Sequence, residues 1–228
     1  MQYRTVWALI LLDLPERESK IIFRDARAED VVAIAYLQFK HSLLSVLGVK
    51  FLVDLYSVMF RLEPNGFCVA MEGEQLVGFA IGTTDSRKLA TRTVIRLIFP
   101  FLRGISTRRY APSRRAGLRR ALGLIAQALA YMLRVGRMAR APSPAELLAI
   151  AVRHDYQRRS IAIGLVEAVC EYMRRQGVRV ITLSVFASNT GAIMLYKKSG
   201  FHSVAEVDKF FGKLLLMSKD IQAEAKHG

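Results

Sequence analysis

Two stretches of this 228-residue chain have residue types and spacings that could do chemistry. The first runs Leu147–Val152, then Arg153–Tyr156, then Gln157, Arg158, Arg159, Ser160, Ile161 and Ala162. That order reads as a strand, a short loop and a helix start. A helix start offers unpaired backbone N–H groups and the positive end of its dipole, so it can hold a pyrophosphate. Small residues there let a phosphate approach the backbone. The second stretch places Asn189 and Tyr196 seven residues apart. Two helical turns separate them, so both can face one cleft, and Asn189 also suits a helix N-cap.

The elements that must position these residues follow from hydrophobic periodicity. Ile21–Arg24 reads as a short strand, and Ala28 to about Lys40 and Ser42 to about Arg61 read as helices with apolar residues at helical spacing. Pro64-Asn65-Gly66 is a turn. Phe67–Met71 and Gln75–Gly82 form a hairpin around Glu72-Gly73-Glu74. Glu146–Val152 is a buried strand, Arg158–Gln176 a helix with Gly177 as its cap, and Val178–Phe186 a strand rich in β-branched residues. Asn189–Ser199 is a helix ended by Gly200, and two strands close the chain, near Val204–Phe210 and Lys213–Lys219. The fold class is mixed α/β with a strand-helix-strand unit in the second half.

Charge is concentrated rather than spread. The chain has 34 basic and 19 acidic residues, a net of +15. Arg87–Arg140 holds 14 of the basic residues, 13 of them Arg, and no acidic one. The remainder carries 20 against 19, so a near-neutral domain is interrupted by one basic segment. Arg forks onto phosphate or carboxylate better than Lys does. Within the segment, Leu118–Arg140 is amphipathic, and Leu97–Leu102 is an apolar patch broken by Pro100.

Other classes are excluded or disfavoured. At 52% hydrophobic and 23% charged residues the chain is neither disordered nor collagen-like. Its most apolar uncharged run, Ala121–Leu133, has 13 residues, short of the roughly 17 needed to cross a bilayer. The mean hydropathy of +0.23 keeps membrane contact open. Cys68 and Cys170 cannot build a disulfide framework, and His41, His154, His202 and His227 are scattered, so no metal site is expected. Met1–Leu14 makes a poor signal peptide, and a reduced, cytoplasmic setting is the default.

The two chemical stretches together resemble the GNAT N-acetyltransferase superfamily. The loop resembles its coenzyme A pattern, Gln/Arg-x-x-Gly-x-Gly/Ala just after a strand. Ser188-Asn189-Thr190-Gly191-Ala192-Ile193-Met194-Leu195-Tyr196-Lys197-Lys198-Ser199-Gly200-Phe201 resembles its second signature, Asn-x-x-Ala-x-x-Leu-Tyr-x-x-x-Gly-Phe. The second half is most similar to the branch that acetylates ribosomal-protein N-termini. The resemblance covers about Ile21–Lys88 and Ser143–Lys219. It implies a GNAT-like, mostly antiparallel sheet with splayed central strands and flanking helices. Residues 21–219 would form one domain interrupted by the basic insertion at about 89–142, with an extension at 1–20 and a tail at 220–228.

The resemblance also implies direct transfer from acetyl-CoA to a neutral primary amine, with no acyl-enzyme and no metal. Carried over, Ile150, Ala151 and Val152 would offer backbone groups to the pantetheine and to the developing oxyanion. Gln157 with Arg158, Arg159, Ser160, Ile161, Ala162 and Ile163 would wrap the pyrophosphate. Asn189 would contact the cofactor arm. Tyr196 would protonate the departing thiolate, a step suited to a phenol of ordinary pKa near 10.

Two departures stand out. Ser160 occupies the first Gly of the phosphate loop; it keeps the N–H and stays small, at some cost in cofactor affinity. Ser184 stands where the N-terminal-acetylating branch has a Glu as base, which puts protein N-termini as acceptors in doubt. Glu146, acting through water, is the substitute base, with Glu206 and Asp208 as weaker options. His154 reads as a solvated loop residue and Cys170 as core packing.

The insertion has three readings: a structural cover for the sheet, an interfacial element on anionic lipid, or a lid that recruits an anionic acceptor. Nucleic acid is disfavoured, because only Tyr110 and Tyr131 interleave with the arginines from Arg103 to Arg140. A peripheral membrane position thus stands beside the cytoplasmic default. The rival to an enzyme is a catalytically silent GNAT-like module that binds a membrane or polyanion through this insertion.

Overall fold

The fold is that of a computed structural model, which describes residues 20–39, 48–106, 144–209 and 212–222. Seven strands form one sheet: β1 (Ile21–Asp25), β2 (Phe67–Glu72), β3 (Gln75–Thr83), β4 (Ala145–Val152), β5 (Val180–Phe186), β6 (His202–Lys209) and β7 (Gly212–Asp220). Their order across the sheet is β1-β2-β3-β4-β5-β7-β6. Every neighbouring pair is antiparallel except β4 and β5. The helices are α1 (Asp30–Phe39), α2 (Val49–Leu62), α3 (Ser86–Ser106), α4 (Ile161–Arg175) and α5 (Thr190–Lys198).

Two cores sandwich the sheet. On one face α1 and α2 set Val31, Ile34, Leu52 and Tyr56 against Phe67, Val69, Phe79 and Ile81. On the other, Leu165, Val169, Cys170 and Met173 of α4 meet Ala70, Ala80, Ile181, Leu183 and Met217. The period of two along β2 and β3 divides their side chains between these cores, which is why both strands read as continuous apolar runs. Cys170 is core packing, as expected from its position.

Glycine permits one close approach that the fold requires. A Cβ at Gly66 would lie 2.2 Å from the carbonyl oxygen of Gly82, so the turn before β2 can close onto the end of β3 only without a side chain. The same corner is tied by Glu63. Its carboxylate accepts from Thr83 Oγ1 at 2.5 Å, Thr84 N at 2.9 Å and the Tyr172 hydroxyl at 3.2 Å, joining α2, β3 and α4.

Several boundaries differ from the sequence reading for identifiable reasons. The helix read from Arg158 begins at Ile161, because Arg158 and Ser160 adopt left-handed backbone (φ 64 and 58) that cannot lie inside a right-handed helix. The patch read as broken at Pro100 lies within the continuous helix α3. The helix read from Ala28 starts at Asp30, after a turn, and the part described of the next begins at Val49. Leu118–Arg140 and residues 42–47 lie outside the described residues.

Candidate active site

The sheet opens between its two parallel strands. β4 pairs with β5 only through Ala145, Glu146 and Leu147, opposite Ile181, Thr182 and Leu183. Thr182 Oγ1 closes this end by donating to the Ala145 carbonyl at 3.0 Å. Beyond it, Ala149–Val152 pair with β3 alone and Ser184–Phe186 with β7 alone. A bulge marks the opening: Gly82 faces Leu147 and Ile81 faces Ala149, leaving Leu148 unopposed and partly exposed. The extra residue twists β4 and exchanges its faces. Leu147 lies in the α4-side core before the bulge, and Ile150 and Val152 pack against that core after it, while Ala151 joins the opposite one.

Both motifs sit at the carboxyl ends of these diverging strands, where a crevice in an open sheet takes its ligand. β4 leads into a short turn, His154–Tyr156, then the loop Gln157–Ser160, then α4. Gln157, Arg158, Arg159 and Ser160 are exposed, and no side chain caps α4. Its first N–H groups are therefore available to a ligand, and the left-handed residues curl the backbone into an anion-binding concavity. His154 is exposed, as expected. From β5 the chain turns into α5, where Asn189 caps the helix by accepting from Ala192 N at 3.1 Å.

Tyr196 packs in the α4-side core, edge-on to Phe201 at 6.0 Å between ring centres. Burial pushes its phenol up to about 12, and no hydrogen bond opposes that shift. The group is thus neutral and proton-bearing throughout the neutral range, and a weaker acid than an ordinary phenol.

Glu146 lies at the closed end, two residues before the bulge. Ala145 and Leu147 belong to the α4-side core, so the period of two turns Glu146 to the other face, where it is hydrogen-bonded with Ser86 at the start of α3. Burial raises its carboxyl above the usual range and the Ser86 hydrogen bond acts against that. Along β4, Glu146 lies at the closed end and Ile150, Ala151 and Val152 lie past the bulge, leading into the loop before α4, while the Asn189–Tyr196 helix follows β5. Glu206 and Asp208 lie apart from these: both are on the edge strand β6, and Glu206 pairs with Lys213 at 3.0 Å. Ser184 is the first β5 residue beyond the paired end, and it is exposed.

The sequence reading missed Tyr156. Its hydroxyl donates to Glu72 at the tip of the β2–β3 hairpin, and that bond raises the phenol's pKa. The guanidinium carbons of Arg153 and Arg159 lie 5.1 and 4.9 Å from its ring centre. Arg153 also pairs with Asp155 at 2.5 Å, holding that carboxyl below its usual range. The one signal in the sequence was an aromatic among three arginines, immediately before Gln157.

A sheet split between two parallel strands, with an uncapped helix start at one and an Asn-capped helix at the other, defines the fold class of the GNAT acyltransferases. Residues 107–201 match the sequence model of the Acetyltransferase (GNAT) family. The chain is 41% identical over 58 residues to the ribosomal protein bS18-alanine N-acetyltransferase of Escherichia coli, a match over 25% of this chain and 39% of that one. It thus spans well under half the length of that curated relative. Among solved structures, Ard1 from Thermoplasma volcanium superposes with a TM-score of 0.55 at 18% identity, covering 88% of this chain and 97% of that one. A putative acetyltransferase from Salmonella typhimurium, solved with its cofactor acetyl-CoA, gives 0.52 at 16% identity over 89% of this chain. The chain is thus similar to the GNAT acetyltransferase family over residues 107–201 and shares the fold of these solved acetyltransferases.

Proposed function

We propose that this protein transfers the acetyl group of acetyl-CoA to a primary amine. The observation that carries the reading is the opening between β4 and β5 with both motifs at its carboxyl end. The residues fit the cofactor: the exposed loop and uncapped α4 suit a pyrophosphate, and the edge of β4 left free past Leu147 suits a pantetheine amide chain. Acetyl-CoA supplies an activated thioester carbonyl. Gln157, Arg158, Arg159, Ser160, Ile161, Ala162 and Ile163 hold its pyrophosphate, Ile150, Ala151 and Val152 its arm, and Asn189 the turn of that arm. Tyr196 donates its proton to the sulfur as the C–S bond breaks. Glu146 takes the amine proton through water as the C–N bond forms.

Ser184 stands where the N-terminal-acetylating branch has a carboxylate base, which argues against a protein N-terminus as the acceptor. Calorimetry with acetyl-CoA, followed by thiol release across a panel of amines, tests the reading. Saturable binding with turnover on at least one amine supports it, and absence of acetyl-CoA binding overturns it.

We further infer that residues 89–142 are an insertion that rests on anionic membrane. Helix α3 supports this: Lys88, Arg92 and Arg96 are exposed at a spacing of four, with Ile95 59% exposed beside them and no acidic residue in the helix. Each cation near a charged surface contributes ~1 kcal/mol. Sedimentation with anionic vesicles should show binding that falls steeply with salt and disappears when Arg119, Arg120, Arg134 and Arg137 become Gln. Equal pelleting with neutral vesicles, or none with either, refutes it. No helix among the described residues is long and apolar enough to cross a membrane.

A further inference from the structure

Hydroxyl side chains flank Glu146 on three elements, and the protons of two of them are already committed. Thr83 is its directly opposite partner on β3, and Thr182 its opposite partner on β5. A hydroxyl carries one proton, so each can donate once. Thr83 Oγ1 donates to Glu63 at 2.5 Å, and Thr182 Oγ1 donates to the Ala145 carbonyl at 3.0 Å. The third hydroxyl, that of Ser86 on α3, is hydrogen-bonded with the Glu146 carboxylate.

Ser86 is held at this partner from two directions. It is the first residue of α3, and its N–H donates to the Pro144 carbonyl at 3.2 Å, so the helix start is tied to the chain two residues before Glu146. Ser86, Leu89, Thr93 and Leu97 recur at spacings of three and four and are all buried, so one stripe seats the helix. Charged groups on the neighbouring elements are engaged elsewhere. Asp85 caps the first turn of α3 by accepting from Lys88 N at 2.7 Å, and Glu63 accepts from Thr83, Thr84 and Tyr172. Arg87 and Lys88 follow on α3, half-buried and exposed. Burial and the Ser86 hydrogen bond are the influences on the Glu146 carboxyl, and they oppose each other.

We infer that Ser86 is a positioning residue for acetyl transfer: its hydroxyl, fixed by the start of α3, orients the Glu146 carboxylate as the base for the amine proton. This rests on the reading above, in which Glu146 is that base. The helix that opens the basic segment therefore also supplies the group that sets the base.

Two readouts separate this role from a merely structural one. The first is NMR titration of the ligand-free protein, isotope-labelled at its glutamate carboxyls, with the Glu146 signal identified by its loss in Glu146→Gln. Ser86→Ala leaves burial unopposed, so the Glu146 midpoint moves upward by about 0.5–1 pH unit. Ser86→Cys, of similar size and a weaker donor, moves it the same way by less, and Ser86→Thr, which keeps the hydroxyl, restores it. The second readout is the acidic limb of the kcat/KM profile on an amine that the native protein acetylates. That limb moves upward with the NMR midpoint in Ser86→Ala, while acetyl-CoA affinity by calorimetry stays within about twofold. In a Glu146→Gln background, Ser86→Ala changes turnover by less than about twofold. A midpoint unmoved in Ser86→Ala and Ser86→Cys, or an equal loss of turnover in both backgrounds, overturns the role of Ser86 and leaves the acetyl-transfer reading standing. Turnover of Glu146→Gln within threefold of native removes Glu146 as the base, and this role with it.

Discussion

Ser160 is held where a glycine would be at ease. Its backbone lies in the left-handed region (φ 58, ψ 6), and its hydroxyl caps nothing. An L-residue in that region costs roughly 1–2 kcal/mol, because Cβ crowds the following carbonyl. Glycine avoids the crowding but gives up roughly 0.5–1 kcal/mol of chain entropy on folding. Ser160→Gly should therefore stabilise the protein by about 0.5–1 kcal/mol, since no side-chain bond is lost. For a chain of this size that is an increase in Tm of about 1–4 °C. Ser160→Ala is the control: it removes the hydroxyl, retains the Cβ, and should leave Tm unchanged. Calorimetric unfolding of the three proteins without ligand decides the point. An unchanged or lower Tm in Ser160→Gly, or an equal rise in Ser160→Ala, would refute the claim that backbone strain is stored in this loop.

Other outcomes follow from the same geometry. Tyr196→Phe keeps the ring against Phe201 and removes the proton, so turnover should fall ~10²–10⁴-fold with acetyl-CoA affinity unchanged; turnover within threefold of native under chemistry-limited conditions would assign the proton to another group. Glu146→Gln should slow turnover by at least ~10²-fold and abolish the carboxylate limb of the pH–rate profile. It should also raise stability at neutral pH: the folded carboxyl has a raised pKa, so its favourable contribution holds at low pH and is lost as pH rises from the unfolded value through the folded one. Urea unfolding at pH 4 and pH 7.5 reads that sign. Gly66→Ala drives a Cβ against the Gly82 carbonyl, a backbone atom with little room to move, and should cost about 1–3 kcal/mol in urea unfolding.

The parts of the fold that were legible in the sequence are those written in periodicity and punctuation. β4, β5, α4 and α5 came from apolar runs ended by Gly177 and Gly200, both of which adopt the left-handed backbone expected just past a helix end (φ 74 and 86). The β2–β3 hairpin came from Glu72-Gly73-Glu74. The bulge at Leu148 was not legible: it lies in Leu-Leu-Ala-Ile, where every residue is apolar and a shift of register leaves no mark. The late start of α4 was hidden because Arg158 and Ser160 take up left-handed backbone without glycine or asparagine to announce it. Pro100 was misleading in the other direction, since a proline in a helix can be carried where its neighbours continue the helix. The Glu63 and Tyr156 networks join residues 20 to 109 positions apart, contacts that only the folded chain brings together.

The central claim is that Gln157–Ile163 at the start of α4 holds the pyrophosphate of acetyl-CoA. Titration calorimetry of the native protein and Ser160→Asp with acetyl-CoA tests it most directly. A carboxylate set against the pyrophosphate should weaken binding at least tenfold, about 1.4 kcal/mol, with the variant still folded by its unfolding transition. Unchanged affinity in the folded variant, or no binding of acetyl-CoA by the native protein, would contradict the account.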